Sequence, residues 1–427
     1  MNQPLPSAQT TSEAPDYPAR WVAFILIASV CYLAVLSFLN ARGLLVSPLL
    51  VAGVEALLYL ACLSALVRRL PLSTLAFSFA VFSWVMLTWL IRQSPDLKGL
   101  RDLLIPILFL SLGRQVADVT FADRQLKTIV TLLVALGLFE ALLTTTYSQL
   151  FNTFSFYVNL GGIRESAAMF EGQLLTLNGF RPEGIGRTIL PSVLGAHRTS
   201  SAMMEPVSLG NFGVILLAWG LSKSGAEMRR FPAWLLSAAL LIALSDSRLG
   251  LTLSVVLIGA RMLPLPMLRR FSPFIPFLIF AAVLGLAFFW PSTGDHLLGR
   301  ISLSGQALLN FDGRMLLGLQ GPLPNFGDMG FAYVISRFGI PLCLVLILVM
   351  FTLPMGDLRG ERFRILIVLY IFANLAVSGT SVFALKTAGL MWFLFGVLSA
   401  ARPLKDTMPE APMTDLAPPL HAVSTPT

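Results

Sequence analysis

The sequence predicts an all-α integral membrane protein with about twelve transmembrane helices. Of its 427 residues, 56% are hydrophobic and only 12% are charged, and the mean hydropathy is +0.78. Apolar segments close to the length that a helix needs to cross a bilayer recur along most of the chain. Because soluble domains carry about twice this share of charged residues, the composition indicates a polytopic helical membrane protein.

The predicted transmembrane segments are separated by connections that alternate in charge. The segments are residues 21–39, 44–66, 72–91, 102–117, 127–147, 205–221, 231–245, 249–263, 272–290, 329–352, 364–380 and 385–401. Every second connection is rich in Lys and Arg, which is typical of short cytoplasmic loops, so both termini are predicted to be cytoplasmic. The connection at residues 92–101 does not fit, because it is basic although it falls on the outer side.

Two long connections, residues 148–204 and 291–328, fall on the outer side in this topology. Loops of this length are usually functional or disordered, and their Gly, Leu and aromatic content favours packed loops. The polar, Pro-rich residues 1–20 and the Pro- and Thr-rich residues 404–427 are predicted to be disordered cytoplasmic tails. Residues 21–403 then form a single membrane domain.

The charge balance and the cysteines restrict the classes of function. The chain carries 30 Lys and Arg against 22 Asp and Glu. This excess predicts contact with anionic membrane lipids, and no soluble basic domain is present to bind nucleic acid. Cys31, Cys62 and Cys343 lie in apolar segments without metal-ligand or disulfide spacing. Walker-type, Rossmann and Asp-x-Asp motifs are absent, so we predict no cofactor and no metal.

Three arginines lie at or near the outer ends of predicted helices. Arg198 precedes a Glu-Pro step by seven residues, Arg248 ends a Ser-Asp-Ser-Arg turn, and Arg314 follows Phe-Asp-Gly. A guanidinium group binds phosphate oxygens through two parallel hydrogen bonds. Three such arginines at the membrane surface therefore favour a diphosphate ligand there. The alternative is that they anchor lipid headgroups or pair with nearby carboxylates.

Several further ionisable residues lie at or inside the membrane boundary. Glu205 begins a helix, where it complements the helix dipole, orients an arginine or acts as a base. His197 and His296 lie in outer loops and are candidates for proton transfer. Glu55 and Glu140 lie within predicted helices, without a basic partner nearby in sequence, and would suit an ion path.

Three motifs resemble the polysaccharide polymerase and O-antigen ligase superfamily of bacterial inner membranes. Arg198-Thr-Ser-Ser-Ala-Met-Met-Glu205-Pro206 is similar to the family's arginine-containing loop that ends in Glu-Pro before a helix. Ser245-Asp-Ser-Arg-Leu-Gly250 resembles its Ser-x-Ser-Arg-x-Gly turn, and residues 325–339 resemble its late Asp-x-Gly helix start. The chain length and the Met-Met-Glu-Pro sequence look closest to those of exopolysaccharide polymerases of the xanthan type.

The resemblance implies a metal-independent glycosyltransferase whose active site faces the periplasm. It would transfer a growing glycan from its polyprenyl diphosphate carrier to a lipid-linked repeat unit. By this resemblance Arg198, Arg248 and Arg314 hold the diphosphate. Glu205 orients an arginine or serves as the base, for which Asp328 is the second candidate. The remaining substrate-binding candidates are Arg181, His197, Arg300 and Arg337.

Two other functions are compatible with the same residues. An O-antigen ligase would join the glycan to an acceptor that is not polyprenyl-linked, such as lipid A core. A lipid-linked oligosaccharide transporter, or flippase, would use the arginines to bind an anionic substrate, and Glu55 and Glu140 favour this alternative. Whether a separate flippase and a chain-length regulator act beside the protein is left open.

Overall fold

The computed structural model describes residues 18–67, 70–161, 187–194, 197–230, 232–292, 294, 296–321, 326, 329–378 and 380–400. Within these ranges the regular structure is helical throughout. The α-helices are α1 (Ala19–Ala41), α2 (Pro48–Leu66), α3 (Leu72–Arg92), α4 (Leu97–Val116), α5 (Val119–Leu142), α6 (Thr144–Phe151), α7 (Thr153–Asn159), α8 (Pro191–Leu194), α9 (Pro206–Ser222), α10 (Gly225–Arg230), α11 (Ala233–Ser245), α12 (Arg248–Met262), α13 (Leu265–Phe271), α14 (Ile275–Phe289), α15 (Leu297–Leu309), α16 (Gly313–Leu316), α17 (Gly330–Thr352), α18 (Leu358–Leu375), α19 (Thr380–Phe383) and α20 (Leu390–Ala400). A π-helical turn, Leu385–Gly389, leads directly into α20.

Each of the twelve predicted transmembrane segments coincides with helical structure, which confirms the all-α membrane fold. Within the described ranges, six helical segments are long and apolar enough to cross a membrane. They are Ala19–Asn40, Pro48–Leu66, Leu72–Arg92, Val119–Leu142, Leu265–Phe289 and Gly330–Thr352. The helices Pro206–Ser222, Ala233–Ser245 and Leu385–Ala400 are apolar but shorter.

The two long connections are partly helical in the ranges that the structure describes. The first connection contains α6, α7 and α8, and the second contains α15 and α16. Helix α15 packs closely along α14, since a Cβ atom added at Gly305 would lie 2.5 Å from the Val283 carbonyl oxygen. The predicted tails at 1–20 and 404–427 lie outside the described residues, except for residues 18–20, of which 19 and 20 already belong to α1.

Helices α4 and α20 are held together by glycines on both sides of the contact. A Cβ atom at Gly113 would lie 2.1 Å from the Phe393 carbonyl oxygen, and one at Gly396 would lie 2.2 Å from the Leu110 carbonyl oxygen. Apolar side chains give little advantage over lipid in a bilayer, so membrane helices associate where small residues let their backbones approach. This contact positions both α4 and the chain that precedes α20.

We expect Gly396→Ala to lower the unfolding temperature, because the added methyl group has no space between α4 and α20. Overpacking of this kind typically costs about 1–3 kcal/mol. Gly259→Ala on α12 is the matched control, since nothing lies within 4 Å of a Cβ atom added there. Thermal unfolding in detergent micelles compares the two variants. An equal midpoint for both would show that α4 and α20 are not this close.

Helix α17 is broken near its middle. Gly339 has φ 72° and ψ 158°, a conformation that is essentially restricted to glycine. The carbonyl oxygens before the break are satisfied from α3: Trp84 Nε1 donates to Phe338 at 2.9 Å, and an Arg92 guanidinium nitrogen donates to Arg337. A broken helix is tolerated inside a membrane protein where neighbouring groups replace its lost hydrogen bonds. The break separates residues 330–338 from the rest of α17, and one of them, Tyr333, lines the cavity described next.

Candidate functional site

A cavity of about 180 Å³ opens at one end of the helix bundle. It is lined by Tyr32, Glu55, Lys98, Arg101, Asp102, Glu205, Ser208, Tyr333, Phe383, Ala384, Leu385 and Lys386. Three cations and three carboxylates therefore line a space between otherwise apolar helices. Charge at such depth is expensive and is usually retained for function, so this cavity is the candidate site.

The cavity lies at the end of the bundle that carries the two long connections. Its lining comes from Tyr32 just past the middle of α1, from Glu55 about two turns into α2, and from residues at or near the starts of α4, α9, α17 and the final helical segment. The connections with most Lys and Arg, such as residues 223–230 and 261–270, join helices at the opposite end. The basic outlier at residues 92–101 contributes Lys98 and Arg101 to the cavity.

Glu205 forms an ion pair with Lys386 at the base of the cavity. Lys386 Nζ lies 2.7 Å from Glu205 Oε2 and 2.9 Å from the Met203 carbonyl oxygen. Ser208 donates to the same carboxylate oxygen at 2.8 Å. Lys386 is buried, whereas 35% of the Glu205 side-chain surface remains exposed. The carboxylate is thus fixed by a buried cation and still accessible to a ligand.

The π-helical turn explains how a lysine comes to lie inside the bundle. Ala384 is extended, with φ −71° and ψ 127°, and separates α19 from the turn that contains Lys386. Single π-helical turns occur frequently at functional sites, because they reorient side chains within a helix. Lys386 thereby reaches across to the residues that precede α9.

Arg101 connects two carboxylates on the opposite wall. It donates to Asp102 Oδ1 at 2.9 Å and to Glu55 Oε2 at 3.4 Å. Each carboxylate also accepts from a tyrosine: Tyr333 donates to Asp102 at 2.5 Å, and Tyr32 donates to Glu55 at 2.6 Å. Because buried charge is stable only when it is paired and hydrogen-bonded, this network holds α1, α2, α4 and α17 in register.

Glu140 organises the segment that leads to Glu205. This fully buried carboxylate accepts from the backbone nitrogens of Ser200 and Ser201, at 2.9 and 2.6 Å. His197 Nε2 lies 2.8 Å from the other carboxylate oxygen. His197, a predicted substrate-binding residue, therefore contacts Glu140. It is not one of the described residues that line the cavity. Met204, which directly precedes Glu205, adopts the left-handed backbone conformation, with a φ of 60°.

Arg198 and Arg248 flank a single turn that packs against α9. Arg198 Nε donates to the Ser245 carbonyl oxygen at 3.2 Å, and Arg248 follows Ser247 in the same turn. A Cβ atom at Gly210 would lie 2.5 Å from Ser247 Oγ, so the turn lies about one helical turn below Glu205. Two of the three predicted arginines thus lie at the same turn, neither of them lines the cavity, and the side chain of Arg248 is exposed.

The remaining predicted residues lie apart from the cavity lining or outside the described residues. Arg314 and Arg300 are exposed, on α16 and α15. Arg337 forms a buried ion pair with Asp96 and lies over the ring of Tyr333. The last two predicted residues, Arg181 and Asp328, lie outside the described residues.

Four of the charged residues that line the cavity were not predicted from the sequence as site residues. Lys98, Arg101 and Asp102 belong to the connection and helix start that departed from the charge pattern, and this departure was their signal. Lys386 was recognisable as a lone cation near the start of an apolar segment. The cation that contacts Glu205 is this lysine, not an arginine. Its position 181 residues further along the chain left the pairing unpredictable.

No family model, curated protein or solved structure matches this chain. In the described ranges, no group of three or more His, Cys, Asp or Glu side chains is arranged to hold a metal ion. The fold and the cavity together define a class of protein: an all-α, multi-pass membrane protein with a charged cavity at one end of its helix bundle.

Proposed function

We propose that the protein is a membrane glycosyltransferase of the polysaccharide polymerase type. It transfers a growing exopolysaccharide or O-antigen glycan from its polyprenyl diphosphate carrier to a lipid-linked repeat unit, at the periplasmic face of the bacterial inner membrane. The observation that carries the proposal is the cavity, where an accessible carboxylate and fixed cations lie together between apolar helices. The motifs around Arg198, Glu205 and Arg248 support it by their resemblance to this superfamily.

The reaction needs a base and a stabilised leaving group. The acceptor hydroxyl oxygen attacks the anomeric carbon, and the bond from this carbon to the diphosphate oxygen breaks with its electron pair. The proton of the hydroxyl passes to Glu205, whose carboxylate is accessible and is oriented by Lys386 and Ser208. The negative charge on the departing diphosphate is stabilised by guanidinium groups that are already in position, in place of a metal ion.

Arg198 and Arg248 are the best candidates to hold this diphosphate. They lie at one turn that packs against α9, about one helical turn from Glu205 and outside the cavity lining, and Arg248 is exposed to an incoming ligand. Arg314 is exposed on α16 and remains a third candidate. Apolar surfaces between the helices are suited to the polyprenyl tail. Partner proteins such as a flippase and a chain-length regulator belong to the same proposal.

Arg248→Lys is expected to slow chain growth by about 10²-fold, because a point charge replaces the bidentate fork on the leaving diphosphate. The purified protein is supplied with the host's lipid-linked repeat units in the presence of EDTA, and product lengths are resolved on a gel. Wild-type protein should give a ladder of lengths. Arg229→Lys, at an exposed arginine of α10, is the matched control and should give the same ladder.

The same assay separates the alternatives. Lipid-linked repeats that stay single in the presence of wild-type protein would contradict the polymerase and favour a transporter, for which the ion pair between buried Glu55 and partly exposed Arg101 is the supporting observation. Single transfer to a lipid A core acceptor, without a ladder, would instead indicate a ligase. A ladder that disappears with EDTA would contradict metal-independent transfer.

A further inference from the structure

We propose that Lys98 is an anion-binding residue at the edge of the cavity, where it binds a phosphate or carboxylate group of the substrate. The inference rests on the proposed function for the identity of that substrate, although binding itself requires no turnover. It concerns a residue outside every motif that resembles the superfamily. It also accounts for the basic connection at residues 92–101, which departs from the charge pattern of the other outer connections.

The other two basic side chains of this connection already have structural partners. Arg92 Nε donates to the Gly318 carbonyl oxygen at 2.7 Å, and a second Arg92 nitrogen donates to Arg337, so this side chain stabilises the break in α17. Arg101 is divided between Glu55 and Asp102. Both guanidinium groups are therefore bound to oxygen atoms of the protein itself, whereas Lys98 has no such partner among the described residues.

The Lys98 ammonium group has no ion-pair partner within the described part of the chain, although it lies near the cavity. Its Nζ atom lies 5.1 Å from the centre of the Tyr333 ring, and the side chain is exposed. Arg101 and Lys386, the other cations of the lining, both form ion pairs. A cation held over an aromatic ring keeps its hydrogen-bond donors free.

The position of Lys98 directs it toward the cavity rather than toward lipid. Lys98 and Arg101 are three residues apart on α4 and therefore share a face, and both line the cavity. A lysine that only anchors a lipid headgroup extends outward along the helix surface to the interface. Here the side chain instead lies against Tyr333 of α17, which also lines the cavity.

The charges of the lining indicate that an anion is attracted only in the immediate surroundings of Lys98. Three cations and three carboxylates make the lining neutral as a whole, so the cavity does not attract anions over a long range. A substrate anion is instead bound where the unpaired ammonium lies, at the exposed edge. Hydrogen bonds from an ammonium to a phosphate or carboxylate are charge-assisted and about twice as strong as neutral ones.

Binding is measured on the full-length protein in phosphatidylcholine nanodiscs, with two probes that represent the two sources of the anion. Farnesyl diphosphate represents the lipid diphosphate, and a disaccharide ending in a hexuronic acid represents an acidic sugar. We expect Lys98→Met to raise the Kd of one of these probes by about tenfold or more. Lys98→Arg should retain binding, because the charge stays. Lys127→Met, at an exposed lysine of α5, is the matched control.

Each outcome decides the proposal. A raised Kd for farnesyl diphosphate alone assigns the anion to the carrier, and a raised Kd for the hexuronic acid alone assigns it to the sugar. Unchanged Kd values for both probes in Lys98→Met overturn the inference, even if chain growth is normal. Lys98-dependent binding without chain growth would instead overturn the proposed function and leave this subsite standing.

Discussion

Replacing Glu205 with glutamine is expected to lower the rate of sugar transfer by about 10²–10⁴-fold, which is the usual contribution of a general base. Glutamine has the shape of glutamate, and its carbonyl oxygen still accepts from Lys386 and Ser208. The fold should therefore survive while the capacity to take a proton is lost. The measurement is the initial rate at which two lipid-linked repeat units are joined, together with the unfolding temperature.

Two further variants separate proton transfer from loss of the ion pair. Lys386→Met leaves Glu205 charged beside a buried apolar group, so it should destabilise the protein more than the double variant Lys386→Met/Glu205→Gln does. Glu227→Gln changes an exposed glutamate at the opposite end of the bundle and is the matched control. A transfer rate for Glu205→Gln within a few-fold of wild type would exclude Glu205 as the base.

Arg101→Leu is expected to cause the largest loss of stability among single substitutions in the cavity. It leaves the carboxylates of Glu55 and Asp102 buried without their shared cation, although each keeps its tyrosine donor. Removal of one partner from a fully buried ion pair typically costs about 3–5 kcal/mol, and the loss here should be smaller because 34% of the Arg101 side chain is exposed to solvent. The unfolding temperature in detergent micelles measures this loss. Arg124→Leu, at an exposed arginine of α5, is the matched control.

The origin of this loss is tested by rescue. Adding Glu55→Gln and Asp102→Asn to Arg101→Leu removes the unpaired charges, so most of the lost stability should return. Arg101→Lys keeps the charge but cannot reach both carboxylates with a rigid fork, and it should fall between wild type and Arg101→Leu. An unfolding temperature that the two added substitutions do not raise would show that Arg101 stabilises the bundle by packing instead.

The helices of this protein were predictable from sequence because the signal for them is local. An apolar run such as residues 21–39 needs only its own length and composition to indicate a transmembrane helix, and α1 covers it. The shorter helices α9 and α11 were also recognised, although neither reaches the length of a typical membrane span. The helical content of the connection at 291–328 was less evident, because α15 carries polar residues and depends on its packing against α14.

The candidate site was only partly predictable for the opposite reason. Glu205 and the turn with Arg248 belong to short contiguous motifs, so the sequence alone indicated them. Glu55 and Glu140 were visible as acids within apolar segments, but their roles were not. Glu55 belongs to the ion-pair network of the cavity, while Glu140 binds the backbone that precedes Glu205.

Which charges meet is a property of the folded bundle. Glu55 and Arg101 are 46 residues apart, Glu140 and His197 are 57 apart, and Glu205 and Lys386 are 181 apart. Composition and periodicity are sufficient to locate each helix. Each residue in lipid must have its backbone hydrogen bonds satisfied and must avoid charge, and this requirement does not depend on which other helices are nearby. The rotation of each helix depends on close contacts such as those of Gly113 and Gly396, and these contacts determine which ionisable side chains share one cavity.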